Sequence, residues 1–215
     1  MSEGAYTITG ARWRFNAGGI LSALPDVALA TTFLLTWIRP EFLGIQRVRF
    51  LLMVVLLEFI IIHSSAFLGN VLASDLDKGK KTLGLLGLGA FYTIFAGAFS
   101  LVNKSWWPVT SFWMLMLNKF LFLFTRAVPS EEEKAAWASG WATNVLFYLG
   151  ATFATTLLPI PRLGVTSAVQ KQFHLPGSGL WISEPWRVLA LGFLYFSAVS
   201  IVEITGFQLK ARRNA

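Results

Sequence analysis

The chain has 215 residues, 55% hydrophobic and 13% charged, with a formal charge of +7, a mean hydropathy of +0.60, nine Trp and 19 Phe. An ordinary soluble domain carries roughly 25% charged residues, so this composition excludes a disordered chain and argues against a water-soluble domain. The Lys and Arg residues fall in short groups between apolar runs, which excludes a nucleic-acid footprint and suits membrane anchoring; the absence of Cys excludes disulfides, thiolate metal sites and Cys nucleophiles.

Six apolar segments are predicted as transmembrane helices, at about 20–38, 48–69, 82–102, 106–126, 138–158 and 187–207. Each is long enough to cross a bilayer, for which about 20 residues suffice. The first follows Arg12 and Arg14 but precedes no small-x-small cleavage site, so it is read as a retained span and not as a signal peptide. Gly69-Asn70 is the expected C-cap of the second. The third carries Gly89, Thr93 and Gly97 every four residues, a small-residue face for packing against another helix or a second copy. Ser130 to Glu133 after Pro129 forms a capping box with acidic residues at the positive helix end, so the fifth helix is predicted to begin near 131, outside the membrane.

The longest connection, 159–186, is interrupted by Pro159, Pro161, Pro176 and Gly177-Ser178-Gly179. Within it, Val165, Ala168, Val169 and Phe173 recur at helical spacing over Val165 to His174, the pattern of an interfacial helix or, alternatively, a lid. Ser183, Glu184 and Pro185 read as the start of the sixth helix. Eight of the nine Trp fall at or near predicted helix ends, where indole prefers the headgroup level, and Trp113 lies inside a span.

Ten Lys and Arg fall on the side of the N-terminus and seven on the other, so the positive-inside rule places both termini in the cytoplasm. Lys78, Lys80 and Lys81 count there as residues of the loop between the second and third helices. The expected architecture is a single domain over 1–215, an all-α integral membrane protein built as a bundle of six transmembrane helices with short loops, in the cytoplasmic (inner) membrane of a bacterium.

Four charged residues sit inside apolar spans: Asp26, Glu58, Lys119 and Glu203, with His63, Asn118 and Asn144 beside them. Each charge left bare near the bilayer centre costs about 2.5–3.5 kcal/mol on insertion scales. Counted from the span ends on the N-terminal side, Asp26, His63, Lys119, Asn144 and Glu203 lie within about one turn of a common plane, and Glu58 nearer the middle. Two readings follow: a polar pocket or proton path using Asp26, Glu58, His63, Lys119, Asn144 and Glu203, or an ion-pair network of Lys119 with Glu203 or Asp26 that only joins helices.

No cofactor and no metal site is predicted. Ligation of haem or another pigment by His63 is the alternative to a hydrogen-bonded interior histidine, and the second is expected, because the other histidine, His174, is predicted on the opposite side. The chain contains no catalytic or nucleotide-binding motif, so an enzyme is not expected. Two classes remain: a small transporter or channel that moves an ion or small polar solute past the buried cluster, or a non-catalytic subunit of a larger membrane complex. The expected partners are the lipid bilayer and either a second copy or another membrane protein.

Overall fold

The computed structural model describes residues 17–125 and 129–206. Among these residues there are eight α-helices and no strand: α1 (Ala17–Ile38), α2 (Arg47–Ala73), α3 (Lys78–Asn103), α4 (Trp107–Thr125), α5 (Glu131–Leu157), α6 (Ser167–Gln170), α7 (Leu180–Ser183) and α8 (Pro185–Thr205). Arg12, Arg14, Arg126, Lys210, Arg212 and Arg213, which are among the ten Lys and Arg counted for orientation, and Trp13, one of the tryptophans placed at helix ends, lie outside the described residues.

Six helices are long, and five of them, α1, α2, α3, α4 and α8, are long and apolar enough to cross a membrane. The fifth helix, α5, is as long as α2, at 27 residues. It falls short in apolarity because its span mixes Ser139, Thr143, Asn144, Tyr148, Thr152, Thr155 and Thr156 with the aliphatic residues.

The centre of the bundle is α2, which packs against α1, α3, α4, α5 and α8. Its side chains are apolar around most of its circumference, and it contributes to two cores while Phe59, His63 and Phe67 stay exposed on one face. One joins α2 with α1, α5, α8 and the long connection; the other joins α2 with α3 and α4.

The most extensive pairing is the antiparallel one of α1 with α8. Gly19 lies against the backbone of Glu203 and Ile204, and Gly192 lies under the ring of Phe33, which stacks on Phe196 at 5.6 Å. Small residues let the two backbones approach. On α3, Gly89 serves the same purpose within the chain: a Cβ there would meet Met116 of α4 at 3.1 Å, while Gly97, two turns on, faces open space.

Helix ends show which local signals prevail. The capping box of α5 is present as the sequence predicts: Ser130 Oγ accepts from the Glu133 amide (3.2 Å) and Glu133 Oε2 from the Ser130 amide (2.9 Å). Gly69-Asn70 does not end α2, which continues to Ala73. A helical glycine costs about 1 kcal/mol, whereas one more turn brings Leu72 into the core beside Leu68, and burial of one Leu is worth about 1.5–3 kcal/mol. Lys78, Lys80 and Lys81 are likewise not loop residues but the first turn of α3, capped by Asp77. Pro185 opens α8 as expected, but Ser183 does not cap it: Ser183 ends α7, and its hydroxyl donates to the carbonyls of Gly179, just before α7, and of Leu180.

Three basic residues attend the carbonyl end of a neighbouring helix, where orphan acceptors and the negative dipole end coincide. Buried Lys81 donates to Leu72 O at the end of α2 (2.9 Å). From α2, Arg49 donates to Asn103 Oδ1 (3.0 Å) and Val102 O (3.3 Å) at the end of α3. Arg187 of α8 donates to Thr155 O (2.6 Å) and Leu158 O (2.9 Å) at the end of α5 and pairs with Glu184.

Within Val165 to His174 only one turn, α6, is helical, not the whole segment. Val165, Val169 and Phe173 are buried in the core with residues of α1, α2 and α8, so this segment closes the bundle end with its apolar side chains turned inward. Its attachment is specific: the Gly164 amide donates to Trp37 O (3.1 Å) and Trp37 Nε1 to Pro161 O (3.0 Å).

The Asp77 cap gives a pH prediction. Its carboxylate accepts from the Lys80 amide at 3.1 Å, and that donation holds the carboxyl below its ordinary 3.8. A depressed folded value means that the cap stabilises fully above the ordinary value and is lost as pH falls through the lowered one. Asp77→Ala is therefore expected to speed amide exchange at Lys80 near neutrality. Unchanged exchange there would show that the cap contributes nothing.

Candidate functional site

Both α4 and α5 pack on α2, yet they are not paired along their length. They meet through Phe122 and Trp137, edge to face at 5.2 Å. The space left between α2, α4 and α5 is a cavity of about 490 Å³ that runs toward the end where α2 and α4 finish and α5 begins.

The walls come from recurring faces. On α2, Glu58, Ile62, Ser65, Gly69 and Leu72 fall on one helical stripe; on α5, Trp137, Trp141 and Asn144 do. Asn118 and Lys119 enter from α4. From Leu72 to Glu58 is fourteen residues, or about 21 Å at 1.5 Å per residue, so Glu58 marks the deep end.

Glu58 is not free. Tyr195 of α8, almost fully buried, donates its hydroxyl to Glu58 Oε1 at 2.7 Å. Tyr195 packs edge to face on Tyr148 at 5.4 Å, and the Tyr148 hydroxyl donates to Val55 O at 3.0 Å. Trp141 Nε1 donates to Ile62 O at 3.0 Å, which fixes the indole as a wall of the cavity. Two bonds from α5 to backbone carbonyls and one from α8 to the Glu58 carboxylate thus join these helices to α2.

Lys119 differs. It is half-buried, and among the described residues it has neither an ion pair nor a hydrogen bond. The expected pairing with Glu203 or Asp26 is not formed. Glu203 lies in a second cavity of about 290 Å³ between α5 and α8, on the far side of Asn144, which lines both. One carboxylate oxygen of Glu203 is buried without a hydrogen-bond partner among the described residues.

Asp26, half-buried on α1, lines neither cavity but lies within electrostatic reach of Glu203 and of Glu58. Pro25 precedes it inside α1, where the missing amide leaves a carbonyl of the preceding turn unpaired.

His63 is not part of the buried group. Five residues after Glu58 it points about 140° away at 100° per residue, and it is exposed on the outer face of α2. Its Nδ1 is within 2.7 Å of the Tyr92 hydroxyl, and its ring lies between those of Phe59 (5.9 Å) and Phe67 (5.4 Å). Among the described residues no three His, Asp or Glu side chains gather in a metal-binding arrangement.

Of the six polar residues singled out by sequence, Glu58, Lys119 and Asn144 share the larger cavity, Asn144 and Glu203 the smaller, and Asp26 and His63 neither. Sequence reading left out Tyr195 as the partner of Glu58 and placed Trp137 and Trp141 at the headgroups. The signal for the tryptophans was present: Trp137, Trp141, Asn144 and Tyr148 recur at i, i+4, i+7 and i+11, one face of α5. No family model, curated protein or solved structure matches the chain.

Proposed function

We propose that the chain is an integral membrane protein of six spans, both termini cytoplasmic, that moves an ion or small polar solute through the cavity between α2, α4 and α5. The observation that carries this reading is the cavity itself, which holds Glu58, Lys119 and Asn144 in otherwise apolar helices. Ionisable groups at membrane depth usually face water-filled spaces and mark solute routes.

Counting α5 as the sixth span rests on its facing. Ser139, Thr143 and Asn144 turn toward the two cavities, and the stripe Leu146, Leu149, Phe153 and Leu157 is exposed and apolar. The end toward which the cavity runs carries Lys78, Lys80 and Lys134 and belongs to the side that holds ten Lys and Arg against seven, so the positive-inside rule favours the cytoplasm there.

The chain has no Cys, so a single introduced thiol reports without background. Ser65→Cys is expected to react with a membrane-impermeant maleimide from the cytoplasmic face only. In liposomes holding a pH-sensitive dye, Lys119→Met is expected to slow decay of an imposed pH gradient at least tenfold relative to the native protein. A Ser65→Cys thiol inert from both faces, with native helix content, overturns the reading.

One observation favours the second class, a membrane subunit. The His63–Tyr92 pair lies among exposed Phe59, Phe67, Phe91 and Phe95, a polar pair on an outer aromatic face. A partner helix or a second copy against it would cover the imidazole, and Gly97, open on α3, offers a neighbouring close-packing position. Purification in mild detergent tests this: stable co-purification of one other polypeptide in fixed ratio supports the subunit reading, and a lone chain rules against it.

A further inference from the structure

We propose that the cavity between α2, α4 and α5 binds a small organic monoanion, its negative group held by Lys119 and its apolar body against Trp137, Trp141 and Phe122. The inference rests on the reading of that cavity as a solute site and names the solute's class.

The two charges of the cavity are not equivalent. Glu58 already accepts from Tyr195, whereas Lys119 has no partner among the described residues. A half-buried ammonium without a counter-charge is the stronger draw for a ligand, because pairing it recovers interaction energy in a low-dielectric site.

Depth separates the two groups. Lys119 is six residues from the end of α4 and Glu58 fifteen from the end of α2, which at 1.5 Å per residue puts Glu58 about 13 Å deeper. No ion pair joins them. A small zwitterion cannot span that interval, and a cation held at Glu58 has to pass Lys119 first. A monoanion meets Lys119 with amide donors available from Asn118 and Asn144, which line the same space.

The body of the ligand is set by the remaining walls. Phe122 and Trp137 form one side, and Trp141 is held rigid by its bond to Ile62 O. Pre-oriented aromatic surfaces favour a flat or apolar body over a hydrated inorganic ion. At the mouth Glu131, Glu132 and Glu133 are exposed, with Lys134 paired to Glu131 at 2.8 Å; these charges are screened by solvent more than half-buried Lys119 is.

The test uses the full chain in phosphatidylcholine nanodiscs, with potassium benzoate as probe and benzylamine hydrochloride as its cationic counterpart, followed by titration calorimetry. Benzoate is expected to bind saturably and benzylamine not at all. Lys119→Met, with native far-UV dichroism and elution, is expected to weaken benzoate binding at least tenfold, and Lys119→Arg to retain it.

The anion could also be a lipid headgroup entering between α4 and α5, so the titration is repeated with phosphatidylglycerol in the disc. Unchanged benzoate affinity identifies the free solute, and lost binding overturns it in favour of lipid. Absence of benzoate binding, or equal binding to Lys119→Met, also overturns the inference. So does preferential binding of benzylamine. If Lys119→Met fails to fold, Lys119→Gln and titration with benzyl alcohol replace it; benzyl alcohol binding as tightly as benzoate shows that charge plays no part and overturns the inference. Benzoate binding without maleimide access at Ser65→Cys sinks the transport reading and leaves the site, whereas maleimide access without benzoate binding sinks this inference alone.

Discussion

Replacing Gly192 by alanine is expected to lower the stability of the bundle by about 2 kcal/mol, read as a fall in the thermal unfolding midpoint in detergent. A Cβ at this position would lie inside van der Waals distance of three atoms of the Phe33 ring. Phe33 is 0% exposed and stacks on Phe196, so it has nowhere to move. Overpacking of this kind costs about 1–3 kcal/mol, and the enclosed ring places the site at the upper end. The gain in helix propensity from Gly to Ala, about 1 kcal/mol, offsets only part of it.

The coupling is the sharper measurement. Phe33→Leu removes ring atoms from the place that the new methyl needs, so the double variant is expected to lose at least about 1 kcal/mol less than the two single losses added together. Strict additivity would mean that α1 and α8 do not approach as described. A Gly192→Ala protein as stable as the native one would say the same.

The second large effect is expected at Arg187. Its guanidinium joins the first turn of α8 to the last turn of α5, donating to Thr155 O and Leu158 O while pairing with Glu184. The side chains of Arg187 and Glu184 are 17% and 33% exposed, so solvent screens the group only partly. A hydrogen bond to a charged group is worth about 1.5–3 kcal/mol, and Arg187→Ala also strands Glu184. The expected loss is about 3 kcal/mol, with faster amide exchange over the last turn of α5.

Arg187→Lys is expected to recover less than half of that. An ammonium is a point charge with three donors and a shorter reach, and it cannot face several carbonyls and a carboxylate in the fixed geometry of a guanidinium. Full recovery by Lys would show that the charge alone matters. Unchanged exchange in Arg187→Ala would show that the end of α5 does not depend on this cap.

Arg187 also shows what a count of charges leaves out. For orientation it is one of seven basic residues on one side; in the fold it completes the carbonyl end of α5, as Lys81 does for α2 and Arg49 for α3. Basic residues near helix ends are visible in a sequence. The helix whose end each one meets is not, because the partners lie 9, 54 and 32 residues away and are brought together only by the pairing of helices.

The local signals were reliable where nothing distant competed with them. The capping box at Ser130 and the Pro185 start of α8 depend on a few adjacent residues. The signals that failed were overridden by packing: Gly69 stays helical because Leu72 is buried beyond it, and Val165, Val169 and Phe173 are drawn under the bundle where they lacked the length to form a stable helix of their own.

The candidate site divides in the same way. Glu58, Lys119, Asn144 and Glu203 stand out in the sequence because a polar group in an apolar run has a cost that demands a partner or water. Which of them meet depends on how each helix is rotated about its axis and which neighbour it takes. A turn of 100° per residue sends His63 to the outer face while Glu58 turns inward, and α5, set between α2 and α8, keeps Lys119 and Glu203 in separate cavities.

By itself the sequence determined the solvent, the helical class and the positions of the six long helices, because apolarity and its period act along the chain. Only the tertiary structure decided that α2 is central, that α4 and α5 leave a cavity against it, and that Lys119 lies there without a counter-charge among the described residues. Those features arise between segments far apart in sequence, where close packing and the need to satisfy each buried polar atom choose among arrangements that the local pattern leaves equal.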